Sequence, residues 1–318
     1  MNQKKALVTG GAGFVGSHLV DTLISQGFYV ISLDNYISGK SENLINANST
    51  NNLKEIRGDI CDLQLLDDIF REGLDYVFHQ AVSKMTVCLE DPVKDLEVNA
   101  GGTLNLLQLS KKYNISKFVH ASTGSVYGEA KYFPTDEDHE TIPSSYYGVS
   151  KLAAERYVNV FNKLWNLDTT ILRYYHVYGP RQENSDVGGV VSIFARRVLE
   201  GKPIIIYGDG SQVRSFTYVQ DVANINVLAL KNSEMSGNIY NCASGASINI
   251  LQLAQKVSES LGFQNYPIEF KEWKPGDIKH FDVSNKKLSD IGFKWETQFE
   301  DGLSMTLDWS KDWINKIN

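Results

Sequence analysis

The feature that most constrains this chain is a short apolar run that stops abruptly in spaced glycines. In VTGGAGFVGSH, Gly10, Gly13 and Gly16 follow the strand-like KALVTG (5–10) and open a helical pattern, FVGSHLVDTLISQG. A first glycine there permits a tight turn, a second lets backbone approach a pyrophosphate, and a third lets helix pack close to strand. The start of the helix adds its unpaired N–H groups and positive dipole end, both suited to an anion. Asp34 closes the next apolar run, YVISLD (29–34), 18 residues after Gly16. A carboxylate at that place accepts hydrogen bonds from a ribose diol and repels a 2′-phosphate, so the expectation is NAD rather than NADP.

The rhythm established there continues. LKEIRGD (53–59), DYVFHQ (75–80), KFVHAS (117–122) and TTILRY (169–174) read as further buried parallel strands, and helical patterns separate most of them. Strands alternating with helices imply a doubly wound sheet. After about residue 175, glycine and proline punctuate shorter elements, as in YGPRQENSDVGG and EGKPIIIYGDGSQ. The expected division is therefore a dinucleotide-binding domain over 1–175, to which some later segments return, and a mainly substrate-binding lobe over 176–318.

Composition narrows the partners. The 318 residues carry a net charge of −7 with no basic run, which argues against nucleic acid and against an anionic membrane surface. No apolar stretch reaches the roughly 20 residues needed to span a bilayer. Cys61, Cys88 and Cys242 are odd in number and lack metal or redox spacing, so they read as buried free thiols in a cytoplasmic protein, with no metal site.

Tyr147 and Lys151 are four apart in SSYYGVSKLAAERYVNVFNKLW, whose start is marked by Pro143 and the capping candidates Ser144 and Ser145. That spacing puts both side chains on one helix face. A phenol with a pKa of about 10 is a poor base, and bringing it near neutrality needs about 4 kcal/mol of differential stabilisation. The Lys151 ammonium and a positive nicotinamide ring are expected to provide it. Tyr146 is the rival, but its spacing to the lysine is poorer.

In order along the chain, TGGAGFVGSH, LDNYISGKSENL, GDI, VNAGGTLNLL, SSYYGVSKLAAE, LRYYHVYGPRQ, IYGDGSQVRSFTYVQDV and KPGD resemble the extended short-chain dehydrogenase/reductases. More narrowly, they resemble the NAD-dependent nucleotide-sugar epimerases and dehydratases, and the likeness covers nearly the whole chain. It implies a Rossmann-like α/β fold with a smaller C-terminal substrate-binding lobe, bound NAD, a nucleotide diphosphate sugar as substrate, and a homodimer built on two helices per subunit. By position it implies that Phe14 and Val15 touch the pyrophosphate beside Gly10, Gly13 and Gly16. Asp34, Asn35, Ser38 and Gly39 fall in the cofactor site, Asp59 and Ile60 flank the adenine, and Ala81, Val82, Asn99, Tyr147, Lys151 and Tyr175 line the rest. The same carry-over assigns the substrate to Thr123, Tyr147, His176, Val190, Tyr207, Arg214, Lys274, Asp277 and Phe281. Arg214 is expected at the diphosphate and Tyr207 beside the base.

The reaction expected of this family member turns on STGSVYG (122–128). The resemblance implies oxidation of the sugar at carbon 4. Dehydratases resemble TDEVYG here, and uronate decarboxylases carry Glu just before VYG. This chain has Gly124 and Ser125, neither of which serves as a carboxyl acid or base near pH 7. The simplest remaining outcome is 4-epimerisation, with Thr123 (or Ser122) handing the 4-hydroxyl proton to Tyr147. Glu183 stands where glucuronate epimerases carry an arginine, and Phe281 where an aromatic excludes N-acetyl sugars, so UDP-glucose and UDP-galactose lead. The alternatives are epimerases of a uronate, GDP- or CDP-sugar, a dehydratase or decarboxylase, and a non-catalytic NAD(H) sensor. His176 replaces an asparagine common in RYFNVYGP, and its charge is expected to change near pH 6.5. Lys274 replaces the arginine of RPGD.

Overall fold

The computed structural model describes residues 3–83, 85–186, 188–273 and 281–317. Its strands, in chain order, are β1 (Lys5–Thr9), β2 (Tyr29–Asp34), β3 (Leu53–Arg57), β4 (Tyr76–His79), β5 (Lys117–Thr123), β6 (Thr169–Tyr174), β7 (Val177–Tyr178), β8 (Ile204–Tyr207), β9 (Val213–Tyr218), β10 (Asn238–Cys242), β11 (Ala246–Asn249) and β12 (Ile268–Lys271). Seven of them form one sheet in the order β10-β6-β5-β4-β1-β2-β3. Pairing is parallel from β5 through β4, β1 and β2 to β3. The seventh strand, β10, was not among the six read from the sequence.

The order explains where a ligand can go. The chain runs outward from β1 to β2 and β3, then returns to β1's other side with β4. Crossovers therefore leave β1 and β4 in opposite directions, opening a crevice at their carboxyl ends. Strands buried on both faces hold that edge in place: Leu7, Ile31, Leu33, Val77 and Phe118 belong to one core and are fully buried. At about 25 cal/mol per Å² of apolar area, each such side chain contributes roughly 1.5–3 kcal/mol relative to exposure.

Two compact units are present. The first comprises Met1–Gly128, Glu140–Arg173 and Val222–Tyr240; the second comprises Glu129–His139, Tyr174–Asp221 and Asn241–Asn318. The second unit contains the β11-β9-β7 and β12-β8 sheets. Its interior is aromatic: Tyr178 packs on Phe216, Tyr218 and Phe299 at ring separations of 6.1, 5.6 and 5.3 Å. Tyr178 satisfies its hydroxyl by donating to the Phe299 carbonyl at 3.1 Å, as a buried phenol must.

Cys88 and Cys242 are buried free thiols, whereas Cys61 is only half-buried, contrary to expectation. Burial, helped by Asp59, still pushes the Cys61 thiol up to about 11, so it is not a reactive thiolate. Among the described residues no helix is long and apolar enough to cross a membrane, and no acidic, histidine or cysteine cluster has the makings of a metal site.

Candidate active site

The glycine turn sits at the carboxyl end of β1. Gly10 adopts φ +67, and a Cβ there would lie 2.8 Å from the Ala81 backbone nitrogen just after β4. Only glycine combines that left-handed backbone with so close a neighbour. A Cβ on Gly16 would run into the Gly10 carbonyl oxygen, so the third glycine lets the helix Phe14–Ser25 close directly on the turn. Gly13 stands at the helix N-cap and receives no side-chain cap, leaving the helix start open to an anion.

Asp34 ends β2 and is buried. Its carboxylate accepts from Ala12 N at 3.0 Å and from Tyr36 N at 2.8 Å, which aims it across the glycine turn. Burial raises its pKa, and those backbone donors work in the other direction. Gly39 lies against this carboxylate, where a Cβ would come within 2.7 Å of Oδ1. Asn35 donates to Asp59 at 3.0 Å, and Ser38 is exposed. Burial works to raise the Asp59 pKa, but hydrogen bonds from the Cys61 backbone and Asn35 hold it below the ordinary value. Ile60 packs against Gly102, and Val82 is exposed beside half-buried Ala81. A backbone cradle beside an oriented carboxylate at a sheet crevice fits the pyrophosphate and ribose of a dinucleotide.

Asn99 has another use. It lies fully buried in a π-helical turn, Glu97–Gly102. Its Oδ1 accepts from Ser83 N at 2.9 Å, and its Nδ2 donates to Asp95 at 2.9 Å and to Ser150 at 3.0 Å. Ser150 closes the triangle by donating to Asp95 at 2.5 Å. The side chain assigned to cofactor thus also braces the helix that bears Tyr147 and Lys151.

That helix, Tyr146–Trp165, begins where Ser145 accepts from Gly148 N at 3.1 Å. Tyr146 points outward with 58% of its surface exposed, whereas Tyr147 is half-buried and hydrogen-bonded to Thr123. Thr123 ends β5, caps the following turn by accepting from Ser125 N at 3.2 Å, and meets the Ser125 hydroxyl at the same distance. It therefore both caps backbone and meets the tyrosine. Ser122, the fallback, is buried and donates to Glu155 at 2.6 Å.

The electrostatics depart from expectation. Burial pushes the Tyr147 phenol up to about 12, with the Thr123 hydrogen bond acting the other way. Lys151 is buried and donates to the Ala121 carbonyl at 2.7 Å. Burial pulls it down to about 8, against the charges of Glu155 and Asp95. The protein's own groups thus do not make Tyr147 a base. A cation beside the phenol would act in the opposite direction and favour the phenolate.

Beneath Lys151 lies a polar layer that sequence reasoning missed. His79 is bracketed by the hydroxyls of Thr9 and Thr103, each at 2.8 Å, and its ring is 5.2 Å from that of His120. Burial first, then the Lys151 charge, keeps both imidazoles neutral. Glu155 accepts from Arg173, which also donates to the Tyr127 hydroxyl at 2.5 Å. The available signal was the Tyr147-Lys151-Glu155 repeat of four, together with an arginine inside the apolar TTILRY.

The remaining assigned residues belong to the second unit. Tyr175 is buried, edge-on to Phe281 at 6.2 Å and 3.4 Å from Asn241 Oδ1. Arg214 donates to the Val213 carbonyl at 2.9 Å and lies over the Phe281 ring at 5.3 Å. His176 contacts the same ring. Its expected change of charge near pH 6.5 is corrected: burial and the Arg214 charge hold it down at about 3. Tyr207 ends β8, and Val190 opens the helix Val190–Leu199, both half-buried. Lys274 and Asp277 lie outside the described residues.

Comparison with known proteins places this geometry. UDP-glucose 4-epimerase of Mycolicibacterium smegmatis is 32% identical over 311 residues, covering 97% of this chain and 99% of its own. The crystal structure of UDP-glucose 4-epimerase from Thermotoga maritima with UDP-glucose superposes with a TM-score of 0.92 at 36% identity, covering 98% of this chain and 99% of the other. UDP-N-acetylglucosamine 4-epimerase from Methanobrevibacter ruminantium gives the same score and identity over 99% of this chain and 100% of its own. The model of the NAD dependent epimerase/dehydratase family matches residues 6–243. With the family model across most of the chain and relatives matched end to end, the chain belongs to the NAD-dependent epimerase/dehydratase family.

Proposed function

We propose that this protein interconverts the C4 epimers of a UDP-hexose, with UDP-glucose and UDP-galactose as the first pair. The observation that carries the reading is the set of groups around Thr123: a glycine at 124 and a hydroxyl at 125 that pairs with Thr123 itself. The buried carboxylates of the same unit near Tyr147 and Lys151 are occupied elsewhere, Asp95 by Ser150 and Asn99, and Glu155 by Arg173 and Ser122. An elimination or decarboxylation that needs a free carboxyl acid or base finds none there among the described residues of that unit.

NAD, when bound, supplies a hydride acceptor that gives the hydride back in the same turnover. The protein's part is proton handling and position. Thr123 hydrogen-bonds the 4-hydroxyl, Tyr147 takes its proton, and Lys151, fixed by Ala121, holds the nicotinamide ribose. Without a group to eliminate water, the 4-keto sugar turns over and is reduced on its other face. Two relatives of equal identity are named for different sugars, so the preference for glucose and galactose rests on Phe281 and Glu183. A homodimer fits as well: Leu89, Val93, Leu96, Val149, Tyr157 and Val160 are large apolar side chains exposed on helices of the first unit that pack against one another. A cytoplasmic location agrees with the free thiols.

The test is a product analysis. Incubation with each UDP-hexose should give the 4-epimer at unchanged mass, seen by NMR and mass spectrometry. A product lighter by one water, or a pentose from UDP-glucuronate, would move the protein to the dehydratases or decarboxylases. NAD(H) that binds and leaves freely, with no turnover of any sugar nucleotide, would favour the sensor.

A further inference from the structure

His79 ends β4, where the crevice between β1 and β4 opens, and its two ring nitrogens face two threonine hydroxyls. Counting hydrogens settles which nitrogen carries the proton. The Thr103 hydroxyl has a single hydrogen, and it goes to the Asn99 carbonyl at 2.6 Å. Towards His79, 2.8 Å away, Thr103 can therefore only accept, so Nε2 bears the hydrogen. Nδ1 is then bare and accepts from Thr9 at 2.8 Å. Thr9 in turn accepts from the backbone nitrogen of Ala81 at 3.2 Å. Each link donates to the next, in one direction, from the Ala81 N–H to the Asn99 carbonyl. A hydrogen on Nδ1, in the other tautomer or in the charged ring, would take from the Thr9 hydrogen its acceptor and break the row.

We propose that His79 is a positioning residue, one that holds the backbone of residues 81–83, beside the glycine turn, in register with the helix bearing Tyr147 and Lys151. The row reaches Asn99 through its carbonyl, and the side chain of the same residue accepts from Ser83 N at 2.9 Å. Residues 81–83 thus hang at both ends from Asn99: Ala81 through Thr9, His79 and Thr103, and Ser83 directly. Nδ2 of Asn99 carries the connection on to Ser150, 3.0 Å away and next to Lys151 in the helix Tyr146–Trp165. At the other end, a Cβ on Gly10 would lie 2.8 Å from the Ala81 nitrogen, so a drift of Ala81 is felt at once by the glycine turn. One hydrogen-bonded frame therefore braces both the dinucleotide cradle and the helix that presents Tyr147 and Lys151. Thr9, His79, Asn99 and Thr103 are all buried, where a hydrogen bond is strong and a missing one is costly. The neighbouring ring gives the contrast: neither nitrogen of His120, 5.2 Å away, is hydrogen-bonded among the described residues, and no such row passes through it.

Three measurements test this, and none involves a sugar nucleotide. Nitrogen-15 NMR of histidine-labelled protein stripped of NAD reads the ring: the signal missing in His79→Phe should be that of a neutral imidazole with its hydrogen on Nε2. Backbone amide exchange reads the frame. In His79→Phe the Ser83 N–H, which the ring does not touch, should exchange roughly tenfold faster or more, together with the Ala81 N–H. NAD affinity reads the cradle. Thr9→Val and Thr103→Val should each weaken NAD binding roughly three- to tenfold, the span of one hydrogen bond. The double replacement should cost about as much as either alone, because the row fails as a unit. Thr9→Ser and Thr103→Ser, which restore the hydroxyls, should restore the affinity. A hydrogen on Nδ1, unchanged exchange at Ser83, or valine losses that add would each overturn the proposal. So would serine variants as weak as the valine ones, since the threonines would then merely fill space. If His79→Phe does not fold, the ring signal is assigned by its shift in Thr9→Val, exchange at Ser83 is read in that same variant, and the threonine series decides.

Discussion

Glu155 accepts two hydrogen bonds from Arg173, 2.9 Å from Nε and 2.7 Å from Nη2, in a layer where both side chains are essentially without solvent. A fork meeting a carboxylate in this way is the strongest geometry available to an ion pair. It sits one helical turn beyond Lys151, so its loss should be felt both in folding and in the protonation of that lysine.

Removing one partner leaves the other charge buried. Glu155→Gln or Arg173→Met should each destabilise the protein by about 3–5 kcal/mol, and the double replacement should cost less than the sum. Urea unfolding of the four proteins measures this. Strict additivity would mean that the pair is not coupled.

Tyr147→Phe should lower turnover roughly 10²–10⁴-fold with sugar-nucleotide binding largely kept. Tyr146→Phe, on the exposed side, should change it by less than about twofold. Steady-state kinetics of both variants decides between them; the opposite ranking would displace Tyr147 as the base.

Lys151 gives a pH dependence with a definite sign. Its folded pKa of about 8 lies below the unfolded value of about 10.4. Between those limits the unfolded chain binds more protons, so stability rises with pH; below pH 8 the penalty is complete. Relative to Lys151→Met, the wild type should gain roughly 2 kcal/mol between pH 7.5 and 9.5. Denaturant titrations at the two values test it, and a flat difference would contradict it.

Asp34 should make NAD bind at least tenfold tighter than NADP, about 1.4 kcal/mol. Asp34→Asn keeps one acceptor oxygen, for either Ala12 N or Tyr36 N, whose bonds go to different oxygens of Asp34, and removes the repulsion of a 2′-phosphate, so the ratio should shrink. Binding to stripped protein reads it directly. Equal affinities in the wild type would rule out this role for Asp34.

The sheet and the glycine turn were legible because local sequence carries them: apolar runs of strand length, a turn only glycine can make, and a four-residue spacing on one helix. What escaped depends on partners that only the fold brings together. Asp95 and Ser150 are 55 residues apart, and Glu155 and Arg173 are separated by a helix end, a turn and most of a strand. β10 escaped because its short NIYNC arrives after the alternation of strand and helix has lapsed. For His176 the residue was visible but its state was not, since an imidazole's charge is set by what surrounds it.

The paired imidazoles of His79 and His120 have a consequence for how protons travel. Both stay uncharged beneath Lys151, one of them clamped between two hydroxyls. A layer of this kind behaves as an insulator under a live contact. Rings so hard to protonate are poor proton acceptors, so in the proposed reaction a proton released at the sugar is kept between Thr123 and Tyr147. Wiring of this sort keeps the proton in place for the return step and leaves the deep interior indifferent to the pH outside.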